Sequence, residues 1–226
     1  LPDDWYVCWG GVKLGLRLAA SGQVGVFPEH AQYWPWIERQ VRQAGPEIEI
    51  LNLFAYTGGA TLAAAAAGAR VVHVDAARYA VQWARQNAQR TGLEGAPIRW
   101  IVDDCRAFVA REIRRRRVYH GLILDPPTYG HGRRGQAWRL SAHLEALLTQ
   151  CARLLAPQPL LVLCTCHTPG YGPERLAAMV RQSLRLPAVQ GEEIQLLAVD
   201  GRALHCGYAV RWPASRGRAL VAEKHV

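Results

Sequence analysis

Short apolar runs alternating with longer helical patterns constrain this chain more than any other feature. The runs fall at residues 48–53, 71–74, 98–102, 122–124 and 160–163. Stretches of helical period lie at 60–67, 77–91, 106–116, 137–155 and 174–184. Strands separated by helices reach one another by crossover, so the alternation predicts an α/β fold, a doubly wound Rossmann-like sheet with helices on both faces. The end of the chain breaks the pattern. Runs at 194–199 and 206–212 are joined by Asp200-Gly201-Arg202 with no helix between them, which predicts an antiparallel last strand.

Ahead of the alternation, residues 5–27 carry short apolar and aromatic runs broken by Gly10-Gly11, Gly15 and Ser21-Gly22, a hairpin pattern. Trp34, Ile37 and Val41 then recur at helical spacing over 31–44, and Gly45-Pro46 ends the pattern. The chain therefore divides into a β-hairpin and lead-in helix over 1–46 and a larger α/β domain over 47–226. It opens on Leu1, which keeps an accessory domain ahead of it open.

In open α/β sheets a ligand sits outside the carboxyl ends of the strands, so the residues just past each run carry the functional argument. After the first run comes Phe54-Ala55-Tyr56-Thr57-Gly58-Gly59. Two residues without Cβ let a ligand approach the backbone, and a helix start favours an anionic group. The second run ends at Asp75, where an acid meets ribose hydroxyls in nucleotide-binding βαβ units. The third ends in Asp103-Asp104, able to accept from an adenine amino group or to cap the next helix. The fourth ends in Asp125-Pro126-Pro127-Thr128-Tyr129, a stiff turn that aims a carboxylate and carbonyls at the sheet centre.

This series resembles the class I S-adenosylmethionine-dependent methyltransferases, and within them the bacterial group containing the 23S ribosomal RNA methyltransferases that make 5-methylcytosine or 7-methylguanine. The resemblance covers residues 22–212 and includes Gly25-Val26-Phe27-Pro28-Glu29-His30. It implies S-adenosylmethionine as cofactor. Thr57, Gly58 and Gly59 would line its methionine end, Tyr56 would be a further cofactor contact, Phe27 would close over it, Asp75 would meet the ribose and Asp104 the adenine. Asp125, Pro126 and Pro127 would form the methyl-transfer side. Cytosine-C5 members also place a nucleophilic cysteine near the end of the fifth strand, a position that Cys166 occupies, although His167 stands where they carry serine. Direct transfer to nitrogen needs no such thiol.

The implied acceptor is a base of ribosomal RNA. A small molecule, a protein side chain, and a degenerate cofactor-binding module that docks on RNA are the alternatives. The balance of 27 Lys and Arg against 18 Asp and Glu favours an anionic partner, while an Arg-rich composition also has a genomic explanation. Arg133 and Arg134, in Gly130-His131-Gly132-Arg133-Arg134-Gly135, are the candidate phosphate contacts, with a solvated loop as the other reading. The cluster Arg111, Arg114, Arg115, Arg116 and Arg117 reads as a solvated helix end.

The six cysteines lack paired C-x-x-C spacing, so no metal site is expected and free thiols are the simplest reading. No apolar run approaches the roughly 20 residues of a membrane span, and no signal core opens the chain. A cytoplasmic protein without a membrane partner is expected.

Overall fold

The computed structural model describes residues 5–18, 22–45, 47–131 and 137–213. Its centre is a seven-stranded sheet built from β3 (Glu49–Leu53), β4 (Arg70–Asp75), β5 (Ile98–Val102), β6 (Gly121–Leu124), β9 (Leu161–Cys166), β10 (Gln190–Leu197) and β11 (Ala203–Trp212). The strand order is β10-β11-β9-β6-β3-β4-β5. Pairing is parallel from β5 through β9, and β11 runs antiparallel to both its neighbours. The strand order reverses between β3 and β6, which opens a crevice past their carboxyl ends.

Side chains alternate across the sheet and so sort into two cores. Ile50, Val71, Ile123, Leu161 and Leu163 face α1 (Trp34–Ala44) and α2 (Gly59–Ala66). Leu51, Leu53, Leu122, Leu124, Val162, Cys164 and Cys166 face α4 (Cys105–Arg114), α5 (Leu140–Ala152) and α6 (Pro173–Leu184). The inner strands β3, β4, β6 and β9 are buried on both faces, which is why they read as continuous apolar runs.

The N-terminal element is a hairpin of β1 (Tyr6–Trp9) and β2 (Val12–Gly15). Val12 and Leu14 belong to the core under α1 and α2. Gly15 fixes it to α3 (Arg78–Thr91): its N–H donates to Asn87 Oδ1 at 2.9 Å and its carbonyl accepts from Trp83 Nε1 at 3.0 Å. The lead-in helix begins as a 3₁₀ turn, Pro28–Tyr33, and becomes α-helical at Trp34. Tyr33, Trp34 and Trp36 are buried, so these aromatics build core, whereas Trp9 is 49% exposed.

Two expectations need correction. The helix expected over 137–155 begins only at Leu140; Ala137–Arg139 is a strand, β8, paired antiparallel with β7 (Tyr129–His131). Trp138 explains the change, because its Nε1 donates to Pro127 O at 2.6 Å and its ring is buried, which holds the segment extended against the turn after β6. The arginine cluster at the end of α4 is also more than a solvated face. Arg117 donates two bonds of 2.7 Å to Glu49, Arg115 pairs with buried Glu112 at 2.9 Å, and Arg111 pairs with Asp103.

Candidate active site

A cleft of about 520 Å³ opens at the carboxyl ends of the central strands, lined by Phe27, Phe54, Tyr56, Asp75, Asp104, Asp125, Pro126, Pro127 and Trp138 among others. That volume is in the range of small-ligand sites. Phe27, Phe54, Tyr56 and Asp125 also border a smaller cavity of about 60 Å³, lined further by Thr57, Gly58, Gly59 and His30. Thus Asp75, Asp104 and Asp125, from the ends of β4, β5 and β6, converge on one concavity.

The turn after β3 holds two aromatics in left-handed backbone, Phe54 at φ 54° and Tyr56 at φ 46°. Such conformations cost bulky residues roughly 1–3 kcal/mol each and persist only where surroundings impose them. Here they place the Tyr56 ring 5.3 Å from that of Phe27 and the Phe54 ring 4.9 Å from that of Trp138. The cleft therefore has aromatic walls. Asp75 anchors the turn: Oδ2 accepts from Tyr56 N at 2.9 Å and Oδ1 from Ala77 N at 2.8 Å. Burial pushes its carboxyl up, and the backbone N–H bonds oppose that shift. A carboxylate offers about four acceptor positions, which leaves room for a ligand hydroxyl beside these N–H bonds.

The glycines line the smaller cavity and also serve packing. A Cβ on Gly59 would lie 2.3 Å from the Trp34 ring, so this glycine admits a core side chain. Gly58 caps α2 at φ 91°, with Ala84 3.1 Å from where its Cβ would be. Thr57 donates to Gly25 O at 2.7 Å and accepts at its carbonyl from Asn87 Nδ2 at 3.0 Å, joining the turn to the N-terminal segment.

Of the acidic pair, Asp104 borders the cleft and is also the N-cap of α4, accepting from Ala107 N at 3.0 Å. Asp103 accepts from Asp104 N at 2.9 Å and pairs with Arg111.

The turn after β6 is pinned at three points. Pro127 O accepts from Trp138, Thr128 O accepts from Leu140 N at 3.0 Å, and the Thr128 and Thr168 hydroxyls are 2.8 Å apart. Asp125 accepts from the Thr165 hydroxyl, and its Oδ1 lies 3.2 Å from His167 Nε2. Burial works against ionisation of Asp125, but His30, His167 and Thr165 together outweigh it and hold the carboxyl well below the usual range. For His167 burial is likewise outweighed, by Asp125 and by the Cys206 carbonyl, and its imidazole is raised to about 9.

Cys166 does not suit the expected nucleophile role. It is 0% exposed, borders neither cavity and packs in the core under α5 and α6, because strand alternation turns Thr165 toward Asp125 and Cys166 to the opposite face. Burial also pushes its thiol up, away from thiolate chemistry. Arg133 and Arg134 lie outside the described residues. Phe54 and His30, present in the motifs but given no role there, join the site, as do Thr165 and Trp138. Trp138 carried no signal within its helical pattern.

Residues 2–190 match the protein family described as S-adenosylmethionine-dependent methyltransferase. The chain belongs to that family. A crystal structure of a SAM-dependent methyltransferase from Agrobacterium tumefaciens superposes with a TM-score of 0.89 at 37% identity, covering 94% of this chain and 70% of that one. A Streptococcus mutans protein shares the fold at 17% identity and a TM-score of 0.76, over 93% of this chain and 55% of its own. Among sequences, the ribosomal RNA large subunit methyltransferase K/L of Vibrio cholerae is 32% identical over 154 residues, 67% of this chain. The chain spans 21% of the length of that relative. The family's cofactor is S-adenosylmethionine, and the methyltransferase fold expected from the alternation is the one observed. Among the described residues no helix is long and apolar enough to cross a membrane.

Proposed function

We propose that this chain transfers the methyl group of S-adenosylmethionine to a base of ribosomal RNA. The observation that carries the reading is the convergence of Asp75, Asp104 and Asp125 from three strand ends on a single aromatic-walled cleft. The residues suit the cofactor. The free lone pairs of Asp75 are matched to ribose hydroxyls, Asp104 stands beside the adenine position, and Thr57, Gly58, Gly59 and Phe27 enclose the narrower end that would take the methionine part. Bound there, S-adenosylmethionine supplies a methyl group activated by a positive sulfur.

Asp125, Pro126 and Pro127 form the acceptor side. Their rigid turn fixes where an acceptor can stand, and the aromatic walls exclude water; alignment and dryness are the main means by which a site accelerates a displacement. With Cys166 buried, the reading contains no covalent bond between enzyme and base.

Four features support RNA. The relatives from Vibrio cholerae and Magnetococcus marinus are named ribosomal RNA methyltransferases. The chain carries a formal charge of +9. Thr128 and Gly130 line the cleft while Tyr129 between them is 72% exposed, an aromatic face at the mouth on which a base can stack. Arg133 and Arg134, a few residues further in sequence, are the phosphate contacts in this reading. Such a substrate places the reaction in the cytoplasm.

The test is incubation with methyl-labelled cofactor and, separately, undermethylated ribosomal RNA, a metabolite extract and a protein extract. Label is expected in RNA, and Tyr129→Ala is expected to raise KM for RNA more than it lowers kcat. Label confined to metabolites or protein would overturn the RNA reading.

A further inference from the structure

Beside the cleft, side chains far apart in sequence meet at one point. His30, from the 3₁₀ turn, and His167, just past β9, place their Nε2 atoms 3.1 Å apart. Glu29 brings a carboxylate oxygen to the same point, all three ligand atoms lying within 4.8 Å of one another. Asp125 stands against both rings, Oδ1 at 3.2 Å from His167 Nε2 and Oδ2 at 3.8 Å from His30 Nε2. We propose that Glu29, His30, His167 and Asp125 bind one divalent transition-metal ion of the zinc type.

The spacing fits. Two imidazole nitrogens bound tetrahedrally to Zn²⁺ at 2.0–2.1 Å stand about 3.3 Å apart. The observed separations of 3.1 and 3.2 Å are close to that value. The orientation of His167 fits as well. Its Nδ1 faces the Cys206 carbonyl at 2.5 Å, and a carbonyl only accepts, so Nδ1 carries a proton and Nε2 is the nitrogen whose lone pair a metal ion would take, displacing a proton there. That lone pair faces a carboxylate oxygen and another ring nitrogen. A proton bridges only one such pair, whereas a metal ion accepts all of them at once. A backbone carbonyl holding the far nitrogen of a ligating histidine is also the usual supporting bond of such sites.

Gly207 makes the arrangement possible. At φ 126° it brings β11 against the ring; a Cβ there would lie 2.9 Å from His167 Nδ1 and 2.7 Å from Cys166 O.

Two imidazoles with two carboxylates select a transition ion over Mg²⁺ or Ca²⁺, which prefer all-oxygen sites. The two carboxylates neutralise a divalent ion, so the neighbouring cleft gains no net positive charge from it. The ion would clasp the Phe27–His30 turn to the ends of β6 and β9, fixing the Phe27 wall against Tyr56.

Metal-free chain, prepared with chelator, is titrated with Zn²⁺ by calorimetry and with Co²⁺ by visible absorption. One ion per chain is expected at micromolar concentration, with d–d bands from a four-coordinate nitrogen and oxygen site and a rise in Tm on adding Zn²⁺. His30→Ala and His167→Ala should each weaken binding at least tenfold and abolish the Tm rise; Glu29→Gln, a milder change, should weaken it with the fold intact by circular dichroism. Absence of binding at micromolar Zn²⁺, or equal binding by native chain and all three variants, would overturn the proposal. Cofactor affinity of the metal-free chain is measured separately, so that a failed metal site and a failed cofactor site are distinguished.

Discussion

Tyr56 donates its backbone N–H to Asp75 Oδ2 at 2.9 Å, which makes the strained turn after β3 and the acid after β4 one unit. The bond explains how Tyr56 is held at φ 46° and why its ring faces Phe27. It also fixes the carboxylate at the edge of the cleft. A change at Asp75 therefore acts both on a ligand contact and on the shape of the wall beside it.

Gly59 separates the packing role of the glycine turn from a ligand role. Gly59→Ala places a methyl group 2.3 Å from a ring atom of buried Trp34. Overpacking of this kind costs about 1–3 kcal/mol. Urea denaturation should show a loss in that range; a variant as stable as the native chain would mean that Trp34 yields easily.

Much of the fold was legible because both faces of the inner sheet are buried, so that β3, β4, β6 and β9 announce themselves as apolar runs. Asp75, Asp104 and Asp125 were legible for a related reason: each stands one or two residues past such a run, where the chain leaves the sheet. What escaped depends on distance in sequence. His30 and His167 meet across a sequence separation of 137, and no local pattern encodes that approach. Trp138 sits in a stretch of helical period, and its bond to Pro127 O is what draws it into a strand. Gly59 was read through the freedom of a residue without Cβ, which is correct, but the space is filled by Trp34. For Cys166 the strand end was placed correctly and the facing of its last residue was not, since that depends on the register of β9 in the sheet.

Cys166→Ala tests that facing directly. The thiol is part of the core, so the variant should lose about 1 kcal/mol of stability while keeping methyl transfer within about twofold. RNA containing 5-fluorocytosine should form no adduct with native Cys166. Loss of turnover in a folded variant, with a trapped adduct in the native chain, would restore the nucleophile.

His73 links stability to pH. It is fully buried, its Nδ1 lies 2.9 Å from the Thr61 hydroxyl, and Thr61 also accepts from Asn52 Nδ2 at 2.9 Å. Burial lowers its pKa from 6.5 to about 3. Below pH 6.5 the unfolded chain therefore takes up a proton that the folded chain refuses, and stability from this group falls as pH drops toward about 3. The slope is about 1.4 kcal/mol per pH unit for one proton. Unfolding free energies between pH 7 and pH 4 should show the decline in the native chain and a shallower one in His73→Gln. Parallel profiles would place the titration elsewhere.

The central claim is that Asp75 holds the methyl donor in this cleft. Calorimetric titration of S-adenosylmethionine into the native chain and into Asp75→Asn measures it most directly. Hydrogen bonds to a charged group contribute about 1.5–3 kcal/mol, so the variant should bind about 10- to 100-fold more weakly while remaining folded. Affinity equal to that of the native chain would contradict the account.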